Sequence, residues 1–296
     1  MFEGFVRTDL ETSGARIHLR HGGHGPPLLL LHGNPQTHVA WHKIANRLAE
    51  RFHVVATDLR GYGDSSAPDP GDNHTNYSFR AMALDQVEVM EQLGYQHFFV
   101  AGHDRGARTA HRMALDHPGR VERAALIDIL SNYHVWSQAS REWALQSWHW
   151  LFMAQPPDLP QRMLSAVPAR WYIERKLSRP GVGLSFFDPE ALAEYVRCFT
   201  EKTIRGSCAD YRACATCDLE MDTADRGRPV RCPLLILWGT ASHTGSVYGD
   251  VLSVWRRYGT DVTGGPIACG HYVMEQAPEE TFARLIRFFA EGAVSP

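Results

Sequence analysis

The chain has 296 residues, 44% of them hydrophobic and 21% charged, enough apolar material for one substantial core. That mixture excludes a disordered tail, a collagen-like fibre and a coiled-coil rod. A formal net charge of −3, a pI near 6.6 and no basic run remove the usual basis for nucleic-acid binding.

The opening segment Met1–Asp9 carries acids and no uninterrupted apolar stretch, so no secretory signal is expected. The longest apolar run, Pro26 to Leu31, is too short to cross a bilayer. A cytoplasmic protein is the expectation, and its six cysteines (Cys198, Cys208, Cys214, Cys217, Cys232 and Cys269) are read as free thiols. Cys214-x-x-Cys217 has redox spacing without the strand–helix context of a thioredoxin, and is read as incidental.

Short apolar runs alternate with longer helical patterns, which predicts an α/β fold with a mostly parallel sheet flanked by helices. In chain order the predicted strands are Leu28–Leu31, His53–Ala56, Phe98–Ala101, Ala124–Ile127, Leu234–Trp238 and Val262–Ile267. Each ends in a turn bearing polar residues: His32-Gly33-Asn34-Pro35, Asp58, Gly102-His103-Asp104, Asp128, Gly239 and Gly270-His271. Ligands of open α/β sheets gather at the carboxyl ends of the strands, so these turns predict one composite site. Between the fourth and fifth strands, from about Ser131 to Arg228, strand patterns disappear. Trp136, Trp143, Trp148, Trp150 and Trp171 all fall there. We expect a helical cap at 131–228, inserted into a core built from 1–130 and 229–296.

Gly102-His103-Asp104-Arg105-Gly106 has the strand–turn–helix form of a nucleophile elbow with Asp104 at its centre. The helix N-terminus behind it favours an anion, and an aspartate nucleophile suits attack on saturated carbon, giving an ester. An ordinary N-cap aspartate is the bland alternative. His271, near the C-terminus after a strand and a Gly-rich loop, fits the base that activates water against that ester. The segment Trp238-Gly239-Thr240-Ala241-Ser242 lacks a carboxylate, so Asp128 is read as the acid that orients His271. Backbone N–H groups of Asn34 and Arg105 are the expected oxyanion hole. Arg105 and Arg108, three apart on the elbow helix, share a side and predict a carboxylate clamp. Pairing with acids such as Glu142 or Asp210 is their structural alternative. No His-x-x-x-His pair with an adjacent acid marks a metal site, and neither metal nor cofactor is expected.

His103-Asp104-Arg105-Gly106-x-Arg108, His32-Gly33-x-Pro35-Gln36-Thr37 and Asp58-x-Arg60-Gly61-Tyr62-Gly63 resemble the fluoroacetate (haloacetate) dehalogenases of the α/β-hydrolase superfamily. The likeness continues through Trp148-His149-Trp150, Ala154-Gln155-Pro156 and Asp210-Tyr211-Arg212-Ala213, and so covers nearly the whole chain. It implies that Asp104 displaces halide from a haloacid and that His271, held by Asp128, hydrolyses the ester. It also implies that Arg105 and Arg108 hold the carboxylate while His149, Trp150 and Tyr211 donate to the departing halide. A homodimer is compatible with the resemblance. Two departures stand out. Arg179 or Pro180 occupies the region where the family generally carries a bulky tryptophan, and Asn34 resembles the halide-binding asparagine of the haloalkane dehalogenases. The expected function is hydrolytic dehalogenation of a short 2-haloacid. An epoxide hydrolase using the same aspartate is one rival, and a ligand-binding homologue without turnover is another.

Overall fold

The computed structural model describes residues 1–178 and 183–291, so Arg179, Pro180 and Gly181 lie outside the described residues. Eight strands form one sheet: β1 (Val6–Glu11), β2 (Arg16–Gly22), β3 (Pro27–Leu31), β4 (His53–Thr57), β5 (Phe98–His103), β6 (Val121–Ile127), β7 (Leu234–Gly239) and β8 (Val262–Ile267). Their order is β1-β2-β4-β3-β5-β6-β7-β8. β3 through β8 run parallel, while β1 and β2 add an antiparallel edge.

The parallel strands β3 to β7 read as apolar runs because helices cover both faces of the sheet. Leu28 to Leu31, Val54 to Ala56, Val100, Ala101 and Ala124 to Ile127 are all inaccessible to solvent. Edge strand β1 shows the opposite pattern, alternating exposed and half-buried residues. From β3 the chain moves outward to β4, then crosses back to place β5 on the other side of β3. That reversal opens a crevice at the carboxyl ends of β3 and β5. The two turns predicted to carry Asn34 and Asp104 both open into it.

Between β6 and β7 the described chain forms helices, from Asn132–Ser137 to Cys217–Ala224. Trp136, Trp143 and Trp150 pack edge to face with centroids 5.6 to 5.9 Å apart. Trp148 and Trp171 point outward instead. The longest of these helices, Glu201–Ala215, starts with a capping box in which Thr200 and Thr203 exchange side-chain-to-backbone bonds. Its buried face carries Asp210, Tyr211 and Cys214.

Candidate active site

β5 ends at His103, and the helix Arg105–Asp116 starts two residues later, leaving Asp104 alone to turn the chain. It does so at φ 48° and ψ −115°, a conformation that costs a non-glycine residue about 1–3 kcal/mol. The turn closes only because its neighbours lack side chains. A Cβ on Gly102 would lie 2.4 Å from the Gly106 carbonyl oxygen, and one on Gly106 would lie 2.5 Å from the Leu31 backbone. A Cβ on Gly33 would sit 2.6 Å from that of Asp104. Glycine at these positions lets the β3 turn and the elbow touch.

Asp104 is buried, and its Oδ2 accepts the Asn34 backbone N–H at 3.0 Å. Burial works to raise its pKa, but the imidazoles of His271 and His103, the Arg105 charge and the Asn34 N–H outweigh it. The carboxyl is held well below the ordinary range. Arg105 supplies the first N–H of the helix, which by position has no acceptor within it. Of the two backbone groups expected to stabilise an oxyanion, the Asn34 N–H is the one in contact with the carboxylate. The Asn34 side-chain oxygen is buried without a hydrogen-bond partner and lines a cavity with Tyr62, Met153, Tyr172 and Phe199.

His271 Nδ1 lies 2.5 Å from Asp128 Oδ2, and both residues are buried. Asp128 is gripped further by the Gly239 N–H at 2.9 Å and the Ser242 hydroxyl at 2.6 Å. Burial pushes the Asp128 carboxyl up; His243, the Ser242 hydroxyl and the Gly239 N–H oppose it. Ser242, in the segment without a carboxylate, thus orients the acid delivered by the neighbouring strand. His103 supports the base from below: its Nε2 is 2.8 Å from the His271 carbonyl, and burial lowers its pKa to about 4. Asp128, His243 and His271 also offer atoms within 4.8 Å of one another. The Asp128 oxygens are already committed to Gly239, Ser242 and the His271 ring.

The two arginines part company. Arg105 is fully buried and gives its Nε to Asp210 Oδ2 at 2.8 Å and its Nη2 to Asp210 Oδ1. Its Nη1 reaches the Cys214 sulfur at 3.5 Å, and the guanidinium lies over the rings of Phe79 and Tyr211. Tyr62 completes this network by donating its hydroxyl to Asp210 Oδ2 at 2.5 Å. Arg105 therefore takes the structural partner that the sequence left open, whereas Glu142 pairs with Arg141. Arg108 has no such partner. It is 3% exposed, stacks over Trp150 and gives Nη1 to the Leu130 carbonyl at 3.0 Å, while its Nε–H is buried without an acceptor. Among the described residues no carboxylate lies within ion-pair distance of it.

His149, Trp150 and Tyr211 come together although 61 residues separate Trp150 from Tyr211. The rings of His149 and Trp150 meet that of Tyr211 edge-on at 5.6 and 5.8 Å. The Tyr211 hydroxyl is buried without a hydrogen-bond partner, and burial and the Asp104 charge push its pKa well up. The sequence reading gave no role to Gly33, Ser242 or Tyr62. Gly33 stood inside a quoted motif, but the approach of Asp104 that requires it is set by sheet order.

Comparisons with known proteins bear on the fold and the family. Residues 26–169 match the family model for the alpha/beta hydrolase fold. A fluoroacetate dehalogenase from a Burkholderia species is 42% identical over 296 residues, covering 100% of this chain and 97% of its own. A soluble epoxide hydrolase from Corynebacterium sp. (strain C12) is 34% identical over 283 residues, 94% of this chain and 95% of that protein. A crystal structure of a Nostoc sp PCC 7120 protein assigned to the alpha/beta hydrolases superposes with a TM-score of 0.95 at 51% identity. That match covers 98% of this chain and 99% of that one.

Proposed function

The chain belongs to the α/β-hydrolase superfamily, and from that premise we propose that it is a hydrolytic dehalogenase of short 2-haloacids. Asp104 attacks the halogen-bearing carbon, its oxygen forms the new C–O bond, and halide leaves with the electrons of the C–X bond. His149, Trp150 and Tyr211 donate to the departing halide in a site from which water is largely excluded. His271, oriented by Asp128, then takes a proton from water, which attacks the Asp104 ester carbonyl. The N–H groups of Asn34 and Arg105 stabilise the oxyanion; collapse breaks the ester C–O bond, the leaving alkoxide takes the proton back from His271 to give the 2-hydroxy acid, and Asp104 returns to its carboxylate with one proton lost to solvent. In this reading residues 131–228 are a helical cap on a core of 1–130 and 229–296. No described helix is long and apolar enough to cross a membrane. The reading takes the enzyme as cytoplasmic, with a homodimer as its compatible assembly.

Arg108 carries the substrate assignment. A buried guanidinium with an unused Nε–H and no carboxylate beside it is a site for an anion. Arg105 is already neutralised by Asp210, so Arg108 is the main carboxylate ligand and the Arg105 Nη1 a secondary one. An epoxide hydrolase is the second reading, favoured by the unpartnered Tyr211 hydroxyl, which suits protonation of an epoxide oxygen.

Incubation with chloroacetate and with styrene oxide, following chloride and diol, separates the two. Halide release without diol is expected, and Arg108→Leu should lower kcat/KM for chloroacetate roughly 30-fold, the worth of a charge-assisted bond of about 2 kcal/mol. Diol formation that is indifferent to Arg108→Leu would select the epoxide reading.

A further inference from the structure

Glu275 lies four residues beyond His271, on the short helix Val273–Gln276, and is 1% exposed. Its Oε1 accepts the Gln36 side-chain amide at 2.7 Å and the Tyr195 hydroxyl at 2.5 Å. Gln36 is two residues from Asn34, whose N–H touches the Asp104 carboxylate. Tyr195 belongs to the helix Pro189–Cys198, in the insertion between β6 and β7. One carboxyl thus joins the turn after β3, the segment carrying His271 and the insertion.

We infer that Glu275 is a positioning residue for the reaction, holding the Asn34 turn and the His271 segment in register beneath the helix Pro189–Cys198. The inference rests on the functional reading above only for its kinetic readout. The clasp works in its neutral form. Glu275 Oε2 is buried with no partner, a location where a bare negative charge is costly. Burial is the main cause of a pKa raised to about 8, against the opposing hydrogen bonds from Tyr195 and Gln36 and the charge of Lys43. The groups facing it are Gln36 from the turn after β3, Lys43 from the helix His42–Leu48, and Tyr195 and Asp188 from Pro189–Cys198 and its N-cap. Lys43 is itself engaged, donating Nζ to the carbonyls of Phe186 and Glu275. Above about pH 8 a charge forms that the buried, unpartnered Oε2 cannot share with any donor, and the water needed to solvate it displaces the segment.

The test measures chloroacetate turnover against pH for the full-length protein and three variants. Wild-type kcat should fall above about pH 8. Glu275→Gln, which copies the neutral carboxyl, should keep its activity at neutral pH to within about twofold and lose that alkaline fall. Glu275→Ala should lose about tenfold or more in kcat, because Gln36 and Tyr195 lose their acceptor. Tyr195→Phe removes a hydrogen bond that favours the ionised form, so the alkaline fall should move to higher pH. A Glu275→Gln variant that keeps the wild-type alkaline fall, or a folded Glu275→Ala variant with wild-type kcat, overturns the inference. If wild type turns over neither haloacid nor epoxide, the functional reading fails while this one remains testable by thermal unfolding. A carboxyl whose pKa is raised on folding stabilises fully below its unfolded pKa, and that stability is lost as pH rises through the folded value. The wild-type Tm should therefore fall more than that of Glu275→Gln between about pH 5 and pH 8. Equal slopes sink the inference.

Discussion

Asp104 and His271 divide the labour of two half-reactions, so removing one should leave the other visible. Replacing the base by asparagine keeps a polar side chain of similar size but removes its ability to deprotonate water. His271→Asn incubated with chloroacetate should stall at the ester and gain the mass of one carboxymethyl group, located on the peptide containing Asp104. Steady-state turnover should drop by roughly 10⁴-fold or more, as when a member of a catalytic triad is removed. An unchanged intact mass after prolonged exposure counts against Asp104 as nucleophile. At this scale the sequence was informative, because an aspartate between small residues after an apolar run has few uses other than an elbow or a cap. It did not disclose which arginine is paired. Arg105 and Arg108 look equivalent three residues apart, and their difference arises from Asp210, on a helix reached 105 residues later.

At the level of elements, the geometry depends on close backbone approach. The helix Arg105–Asp116 presses so closely on β3 that a methyl group at Gly106 would collide with the Leu31 and His32 backbones at 2.5 and 2.6 Å. Backbone cannot yield as a flexible side chain can. Gly106→Ala should thus lower stability by about 3 kcal/mol, read as a shift of the urea midpoint at unchanged slope, and should abolish turnover. Five of the six parallel strands were legible because burial on both faces writes them as apolar runs; β8, partly exposed Val262-Thr263-Gly264-Gly265-Pro266-Ile267, stood out by the Gly270-His271 turn that follows it. β1 and β2 were not legible. β2 alternates Arg16, His18 and Arg20 with buried Ile17 and Leu19, a short period-two pattern rather than an apolar run, and edge strand β1 is mostly exposed. The short helix carrying Glu275 escaped notice because four residues display no periodicity.

For the molecule as a whole, buried carboxylates set the response to acid. Asp58 is buried and accepts from the His38 N–H, the His38 ring and the Asp64 N–H, each at 2.8 Å. Burial opposes its ionisation, but these bonds and the charges of His38 and His32 prevail, so its pKa is lowered well below the usual value. A carboxyl depressed on folding contributes stability above its unfolded pKa and loses it as pH falls through the folded one. Wild type should therefore lose Tm steeply below about pH 4, the ordinary carboxylate range. Asp58→Asn, less stable at neutral pH, should show a shallower acid decline. Parallel curves would remove Asp58 from that account. The helical stretch between β6 and β7 was readable because a strand-free segment rich in tryptophan stands out between strand-bearing ones. The contacts that stitch the two regions together were not, since they depend on how helices pack rather than on local composition.

The salt bridge from Arg105 to Asp210 has a consequence for how such a protein can diverge. One partner is rooted behind the nucleophile, the other arrives on a helix of the insertion, and both side chains are inaccessible to solvent. Grafting an insertion from a relative that lacks an acid at this point would strand a cation in the interior, at about 3–5 kcal/mol. Recombination between family members is thus constrained at this anchoring position.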